Sequence, residues 1–238
     1  MNYLDQTLPT PAENLACDEA LAESCEQGGP EVLRFWEARE WFVVVGYANK
    51  QAREANLAAC AAAGVPVYRR PSGGGTVLQG PGCLNYTLIL KVTPAGSLAS
   101  IASANRFIME RQAAALATVL GQPVHVQGHT DLTLGDHKFS GNAQRRFRNS
   151  LLFHGTFLLN FDLTAIHRFL PPPSQQPAYR LNRGHADFVV NLPLDAAQVK
   201  AALCQAWGAS EPLAELPRQR IDQLAREKYS QPEWNEKF

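Results

Sequence analysis

The middle of the chain carries more strand-forming runs than helix-forming ones, and the two do not alternate. Runs of β-branched and aromatic residues fall at VLRFW (32–36), WFVVVG (41–46), VPVYRR (65–70), TVLQG (76–80), LNYTLIL (84–90), VHVQ (124–127), DLTL (131–134), KF (138–139) and LLFHGTFLLNF (151–161). Helical patterns occupy 11–25, behind the capping box Thr10-Pro11-Ala12-Glu13, then 51–63 up to Gly64, 101–120 up to Gly121, and 195–207 and 213–228. Strict βαβ order would predict a doubly wound parallel sheet. Its absence predicts an α/β fold of the α+β kind, with a mixed β-sheet flanked by helices. The runs at 32–36 and 41–46, bracketing a short charged linker, read as paired strands, the second apolar throughout and so central. LPPPSQQP at 170–177 reads as an exposed extended segment, since three successive prolines exclude helix and central strand.

With 238 residues, no internal repeat and no long flexible linker, the expectation is one domain over 1–238 with a helical tail over about 195–238. Lys+Arg 22 against Asp+Glu 22 leaves no net charge, which argues against nucleic acid or an anionic membrane as the main partner. Arg145-Arg146-x-Arg148 is too short a cluster to alter that, and reads as a solvated face or a contact for an acidic domain. The five cysteines are scattered without a C-x-x-C pair, which argues against both a disulfide framework and a zinc ribbon and suits a reducing cytoplasm. No basic and apolar leader opens the sequence, and no apolar run reaches membrane-spanning length.

The densest chemical signal is Arg69-Arg70-Pro71-Ser72-Gly73-Gly74-Gly75-Thr76, directly after a predicted strand. Successive glycines let backbone N–H groups approach an anionic oxygen closely, while Arg70 offers a cationic fork. A glycine triplet alone is equally compatible with a surface turn carrying two solvated arginines. Neither a Walker A loop nor the dinucleotide G-x-G-x-x-G is matched. A second cluster runs from Asp131 through a turn at Gly135-Asp136 to Lys138 and the small residues Ser140-Gly141-Asn142, read as a turn from which the lysine aims a point charge at an activated acyl or phosphate group. Such a lysine taken alone is usually surface decoration. His154, inside an apolar strand, reads by itself as a hydrogen-bonded core residue, and no metal-ligand spacing is present.

Together these segments resemble the lipoate-protein ligase A branch of the biotin and lipoate protein ligase superfamily. The resemblance runs in order through NLACDEAL (14–21), RRPSGGGTV (69–77) with Asn85 after it, DLTLGDHKFSGNAQ (131–144), HGTFLLN (154–160) and the closing Lys228-Tyr229-Ser230-x-Pro232-Glu233-Trp234-Asn235. It implies a catalytic-domain fold shared with biotin ligases and distantly with class II aminoacyl-tRNA synthetases. The activity implied is activation of lipoate or octanoate by ATP, with Mg2+, to an acyl-adenylate, then transfer to a lysine of a lipoyl domain of the 2-oxoacid dehydrogenase E2 or glycine cleavage H protein type. No permanently bound cofactor or metal is implied. By the same resemblance Lys138 is the catalytic charge, and Arg70, Gly73, Gly74, Gly75, Thr76, Val77, Leu78, Asn85, Asp131, Ser140, Gly141 and His154 bind acyl group or nucleotide. Alternation adds Val44, Val45 and Leu88 as walls of an apolar tunnel.

Long ligases of that branch carry a further C-terminal domain, which this sequence does not show. A small accessory protein in its place, a self-sufficient single domain, and a protein that does not adenylate all remain open at this level. The rival within the superfamily is an ATP-independent octanoyl or lipoyl transferase working through a cysteine thioester. Its two usual cysteine positions hold none here, and Cys83, beside Gly80-Pro81-Gly82, reads as a packed hydrophobe. A non-catalytic module that binds an acyl-adenylate is the third reading, disfavoured because Arg70, the glycines and Lys138 occur together.

Overall fold

A computed structural model describes residues 1–238. In chain order the elements are β1 (Asn2–Asp5), α1 (Pro11–Glu26), β2 (Val32–Glu37), β3 (Phe42–Val45), α2 (Gln51–Glu54), α3 (Leu57–Ala63), β4 (Val67–Arg69), β5 (Val77–Gln79), β6 (Cys83–Lys91) and α4 (Ile101–Leu120). There follow β7 (His125–Gln127), β8 (Asp131–Leu134), β9 (His137–Arg146), β10 (Ser150–Leu158), α5 (Thr164–Phe169), α6 (His185–Phe188), α7 (Ala196–Trp207), β11 (Glu211–Pro212), α8 (Arg218–Leu224) and α9 (Pro232–Asn235). An eight-stranded mixed sheet has the order β11-β1-β2-β6-β10-β9-β8-β7, with β1 parallel to both neighbours and the rest antiparallel. A second, three-stranded sheet, β4-β3-β5, carries the glycine segment between β4 and β5. The mixed sheet with flanking helices is the expected fold class.

Period-two alternation on the central strands separates the two layers. Leu33 and Phe35 of β2, Leu84, Tyr86, Leu88 and Leu90 of β6, and Leu151, Phe153 and Phe157 of β10 face α4 and α7 in the larger core cluster. Val32, Ile89 and Leu152 point the other way, onto α1 and α8. On that second face the register aligns Arg34 with Thr87, and Thr87 with His154, in one polar row across β2, β6 and β10. Asp18 of α1 covers the row. Its Oδ1 accepts from Arg34 Nη1 at 2.5 Å, and its Oδ2 accepts from Thr87 Oγ1 at 2.8 Å. Glu19, the next residue, faces the tail, accepting from Lys228 Nζ at 2.6 Å and from the Tyr229 hydroxyl at 2.6 Å.

Four sequence expectations need correction. The runs at 32–36 and 41–46 do not pair: β2 lies between β1 and β6, while β3 is central to the smaller sheet. The linker redirects the chain into a second layer, and the two runs meet where Trp36 stacks on Phe42, with centroids 6.3 Å apart, in an apolar cluster shared with Val44. The helix over 51–63 breaks at Ala55, because the Asn56 side chain caps a new start by accepting from Ala59 N. Residues 138–144 form no turn but lie within β9, which pairs with β8 on one side and β10 on the other. The last helix begins at Arg218 rather than 213 and ends in a wide turn, Ser230 N donating to Ala225 O. Strands β1 and β11 were not foreseen. No helix is long and apolar enough to cross a membrane.

Burial pushes the Asp18 carboxyl up, but Arg34 and His154 outweigh it and hold the group below its ordinary value. Its stabilising contribution is therefore full above about pH 4, the unfolded carboxylate value, and is lost as pH falls through the lower folded value. Asp18→Ala leaves the Arg34 guanidinium buried without a counter-charge and is expected to cost about 3–5 kcal/mol in urea unfolding at pH 7. Asp18→Asn should remove this component of the wild type's stability loss on acidification, as followed by thermal midpoints between pH 6 and 3.

Candidate active site

Two adjacent arginines shape the glycine segment from opposite sides. Arg69, fully buried, donates from Nη1 to the carbonyls of Gly46, Tyr47 and Asn49 at 2.7–3.0 Å, and from Nη2 to Asn235 O at 2.8 Å. Its backbone is clasped too: Asn235 Oδ1 accepts from Arg69 N at 2.9 Å, and Trp234 Nε1 donates to Arg69 O at 2.9 Å. The closing Trp234-Asn235 pair thus anchors the strand that leads into the glycines. Arg70 is turned onto the loop itself, its Nη2 donating to Gly73 O at 2.8 Å and Gly75 O at 2.7 Å, and its Nε to Ser72 Oγ at 3.1 Å. No carboxylate pairs with it, and burial pulls the guanidinium down to about 10.

With those carbonyls drawn inward, the loop keeps free space at two of its glycines. A Cβ at Gly73 or Gly75 would meet nothing, whereas Gly74 has φ +89°, where a side chain is strained. The loop is closely seated elsewhere: a Cβ on Gly46 would lie 2.1 Å from Gly74 O. Ser72 Oγ and His154 Nε2 are 2.6 Å apart, and His154 Nδ1 is 3.7 Å from Asp18 Oδ2. Burial pushes the imidazole below its ordinary value despite Asp18, so it is neutral at pH 7. Facing the carboxylate, Nδ1 carries the proton, and Ser72 donates its hydroxyl hydrogen to Nε2. A continuous polar line therefore runs from Arg34 and Asp18 through His154 to Ser72 and the loop.

Lys138 forms a second corner. Its Nζ is 2.7 Å from Asp131 Oδ1, and the side chain remains about a quarter exposed (27%). Gly141 makes room for it, since a Cβ there would stand 2.8 Å from Nζ. Asn142 crosses over Gly155 to accept from the Tyr86 hydroxyl at 2.5 Å, while donating to Thr130 O at 2.6 Å and Ser140 Oγ at 3.2 Å. Strand β9 joins the corners: Ala143, paired with His154, has its Cβ 3.6 Å from where a Gly74 Cβ would be.

The predicted residues thus fall into two groups. Arg70, Gly73, Gly74, Gly75 and His154 form the loop corner, with Thr76, Val77 and Leu78 leading out of it into β5 and the buried Asn85 two residues along β6 from Thr87. Lys138, Asp131, Ser140 and Gly141 form the other, and no hydrogen bond links Lys138 to the loop. The three expected tunnel positions do not line one wall: Val44 and Val45 face opposite sides of β3 and join different clusters, and Leu88 belongs to the α4 face of the main sheet. Arg146 is tied to the carbonyls of Leu98 and Ala99, and Arg145 lies over Phe147. Sequence reasoning passed over Asp18 and Ser72, although both stand inside quoted motifs. A carboxylate set among the apolar residues Leu15, Ala16, Cys17, Ala20, Leu21 and Ala22 of α1 was the available signal for Asp18. Cys83 is enclosed in an apolar cluster, and burial pushes its thiol up to about 12, so it is no thiolate. No group of three or more His, Cys, Asp or Glu side chains converges as for a metal.

Residues 10–207 match the lipoyl protein ligase A/B catalytic domain. The chain belongs to that family. Among curated relatives, lipoate-protein ligase A subunit 1 of Thermoplasma acidophilum is 26% identical over 240 residues, covering 93% of this chain and 90% of that one. The octanoyltransferase LipM of Kyrpidia tusciae is 28% identical over 260 residues, with 94% of each chain covered. A crystal structure of a lipoate-protein ligase A bound with ATP superposes with a TM-score of 0.78 at 25% identity, covering 99% of both chains.

The packing around the glycines separates two substitutions. Gly75→Ala should fold and leave the loop backbone in place, whereas Gly46→Ala should displace Gly74 and raise amide exchange across 72–75 by at least tenfold. Equal exchange in the two variants, read by mass spectrometry, would contradict this account of the loop.

Proposed function

We propose that the protein is a lipoate-protein ligase. In the first step a lipoate or octanoate carboxylate attacks the α-phosphorus of ATP, delivered with Mg2+ as part of the substrate, forming the acyl-adenylate and releasing pyrophosphate. In the second, a lysine amine of a lipoyl domain attacks the acyl carbonyl, and AMP leaves. The observation that carries this reading is the pairing of a glycine loop, its carbonyls drawn inward by Arg70, with a lysine ammonium held beside a cleared Gly141. Loop N–H groups and Lys138 supply positive potential where negative charge develops on phosphate and carbonyl oxygens. Neutral His154 keeps Ser72 and the loop fixed. The apolar cluster of Trp36, Phe42 and Val44, with Val77 packed on it, is the proposed wall for the acyl chain.

Residues 1–238 act in this proposal as one catalytic domain, the tail over 195–238 packed upon it, in the reducing cytoplasm that free cysteines suit. The acceptors are lipoyl domains of E2 or H-protein type. An accessory protein assists adenylation, in keeping with a relative named as one subunit of a ligase. Thr76, Val77, Leu78, Asn85, Ser140 and Gly141 line the acyl and nucleotide pocket, with Asp131 holding the lysine.

The transferase reading is favoured by the octanoyltransferase relatives, but it needs a reactive nucleophile, and Cys83 is enclosed and protonated. Supplying an apo lipoyl domain with either lipoate plus Mg-ATP or octanoyl-acyl carrier protein, and weighing the product, separates the two. Modification is expected in the first arm. Lys138→Ala should lower that rate by about 10² or more, and Cys83→Ser should leave it within a few-fold. A dead Cys83→Ser enzyme that works without ATP in its wild-type form would transfer the assignment to the octanoyltransferases.

A further inference from the structure

We propose that Tyr179 is a positioning residue for the Lys138 amine, acting through the Asp131 carboxylate. The inference rests on the reading of Lys138 as the charge at the reacting centre. The two oxygens of Asp131 have different partners: Oδ1 is 2.7 Å from Lys138 Nζ, and Oδ2 accepts from the Tyr179 hydroxyl at 2.7 Å. Tyr179 comes from a single helical turn, Ala178–Arg180, which opens the segment following the proline-rich 170–177. That segment is stitched to the β8–β9 hairpin at two further places. Arg183 Nη2 donates to Asp136 O at 3.0 Å, and Val190 N donates to the carbonyl of Lys138 itself at 2.9 Å. The Tyr179 ring packs on Phe188, with centroids 5.3 Å apart, and passes over Gly128, where a Cβ would stand 3.6 Å from it.

This arrangement restrains a carboxylate that would otherwise rotate. A carboxylate holding one donor on each oxygen is fixed in plane and in torsion. Without the phenol, both oxygens are free to chelate the ammonium and draw it away from substrate. The charged neighbours of the pair are Lys138 on β9 and Arg180 and Arg183 on the segment; the nearby His185 on α6 is held below its ordinary value, mainly by burial. Burial and Asp131 push the Tyr179 hydroxyl well above its ordinary value, so it remains a donor throughout the working range.

Tyr179→Phe keeps the ring on Phe188 and removes only the hydroxyl. In the lipoate plus Mg-ATP assay kcat is expected to fall about tenfold, the scale of losing one hydrogen bond to a charged group, with KM for the acid unchanged. In resting protein labelled with 13Cε-lysine, the Lys138 signal, assigned with Lys138→Arg, should move from its wild-type chemical shift, the carboxylate now acting on the ammonium alone. Leu181→Ala, at an exposed position of the same segment, should match wild type in every readout. A Lys138 signal unmoved by Tyr179→Phe, or a kcat that does not fall, overturns the proposal. A moved signal in a protein that makes no acyl-adenylate would uphold the coupling and refute the ligase reading instead.

Discussion

Asp18 stands at the junction of three structures that would otherwise be independent: helix α1, the central strands and the glycine loop. An isolated carboxylate cannot be buried without heavy loss of hydration energy, so every direction of approach to it must supply a donor. Arg34 and Thr87 do so from two neighbouring strands, and His154 faces it from a third. Their alignment in one cross-strand row means that a slip of one residue in either pairing would turn one of them to the opposite face. The ion pair is therefore more an enforcer of register than a source of net stability. Through His154 and Ser72 the same row reaches the loop, so the geometry of the site is coupled to the docking of the first helix.

The loop illustrates how a chain rich in glycine is kept in one conformation. Its entropic tendency to wander is opposed by two guanidiniums with ten N–H donors between them, most of them directed at backbone carbonyls. Arg69 holds the approach strand and the C-terminal helix together, and Arg70 gathers the carbonyls of the glycines. The Gly73, Gly74 and Gly75 N–H groups have no partner within the chain, so in the proposed function they are open to a ligand before it arrives, which is the preorganisation that stabilising a developing oxyanion requires. Lys138 is arranged differently, part-exposed and held by one carboxylate, as suits its proposed role as a group that changes partners.

Much of the site was legible in the sequence because its parts are local. A strand followed by three glycines, and a lysine three residues before a glycine, are patterns of contiguous residues whose backbone consequences follow from sterics. Helix α1 was legible for the same reason, since its capping box and proline at the first turn lie within four residues. Read as a turn, 138–144 misled because small residues signal turns only when no partner strand is near. Here β8 and β10 flank the segment, and Gly141 and Gly155 are small to admit Lys138 and Asn142. The pairing of 32–36 with 41–46 misled in the same way: proximity along the chain favours a hairpin, but β2 pairs with β1 and β6, and β3 with β4 and β5 in the other sheet.

What the sequence alone determined was the fold class, the motifs and the chemical types available, since period, glycine placement and charge inventory depend on neighbours along the chain. What only the tertiary structure decided was which of those groups meet. Asp18 and His154 are 136 positions apart along the chain, and nothing in the local pattern of either indicates the other. Tyr179 reaches Asp131 only because the helical turn that follows the proline-rich 170–177 is laid against the hairpin and fastened there. Such contacts depend on burial and register summed over whole strands, and these exist only once the chain has closed on itself.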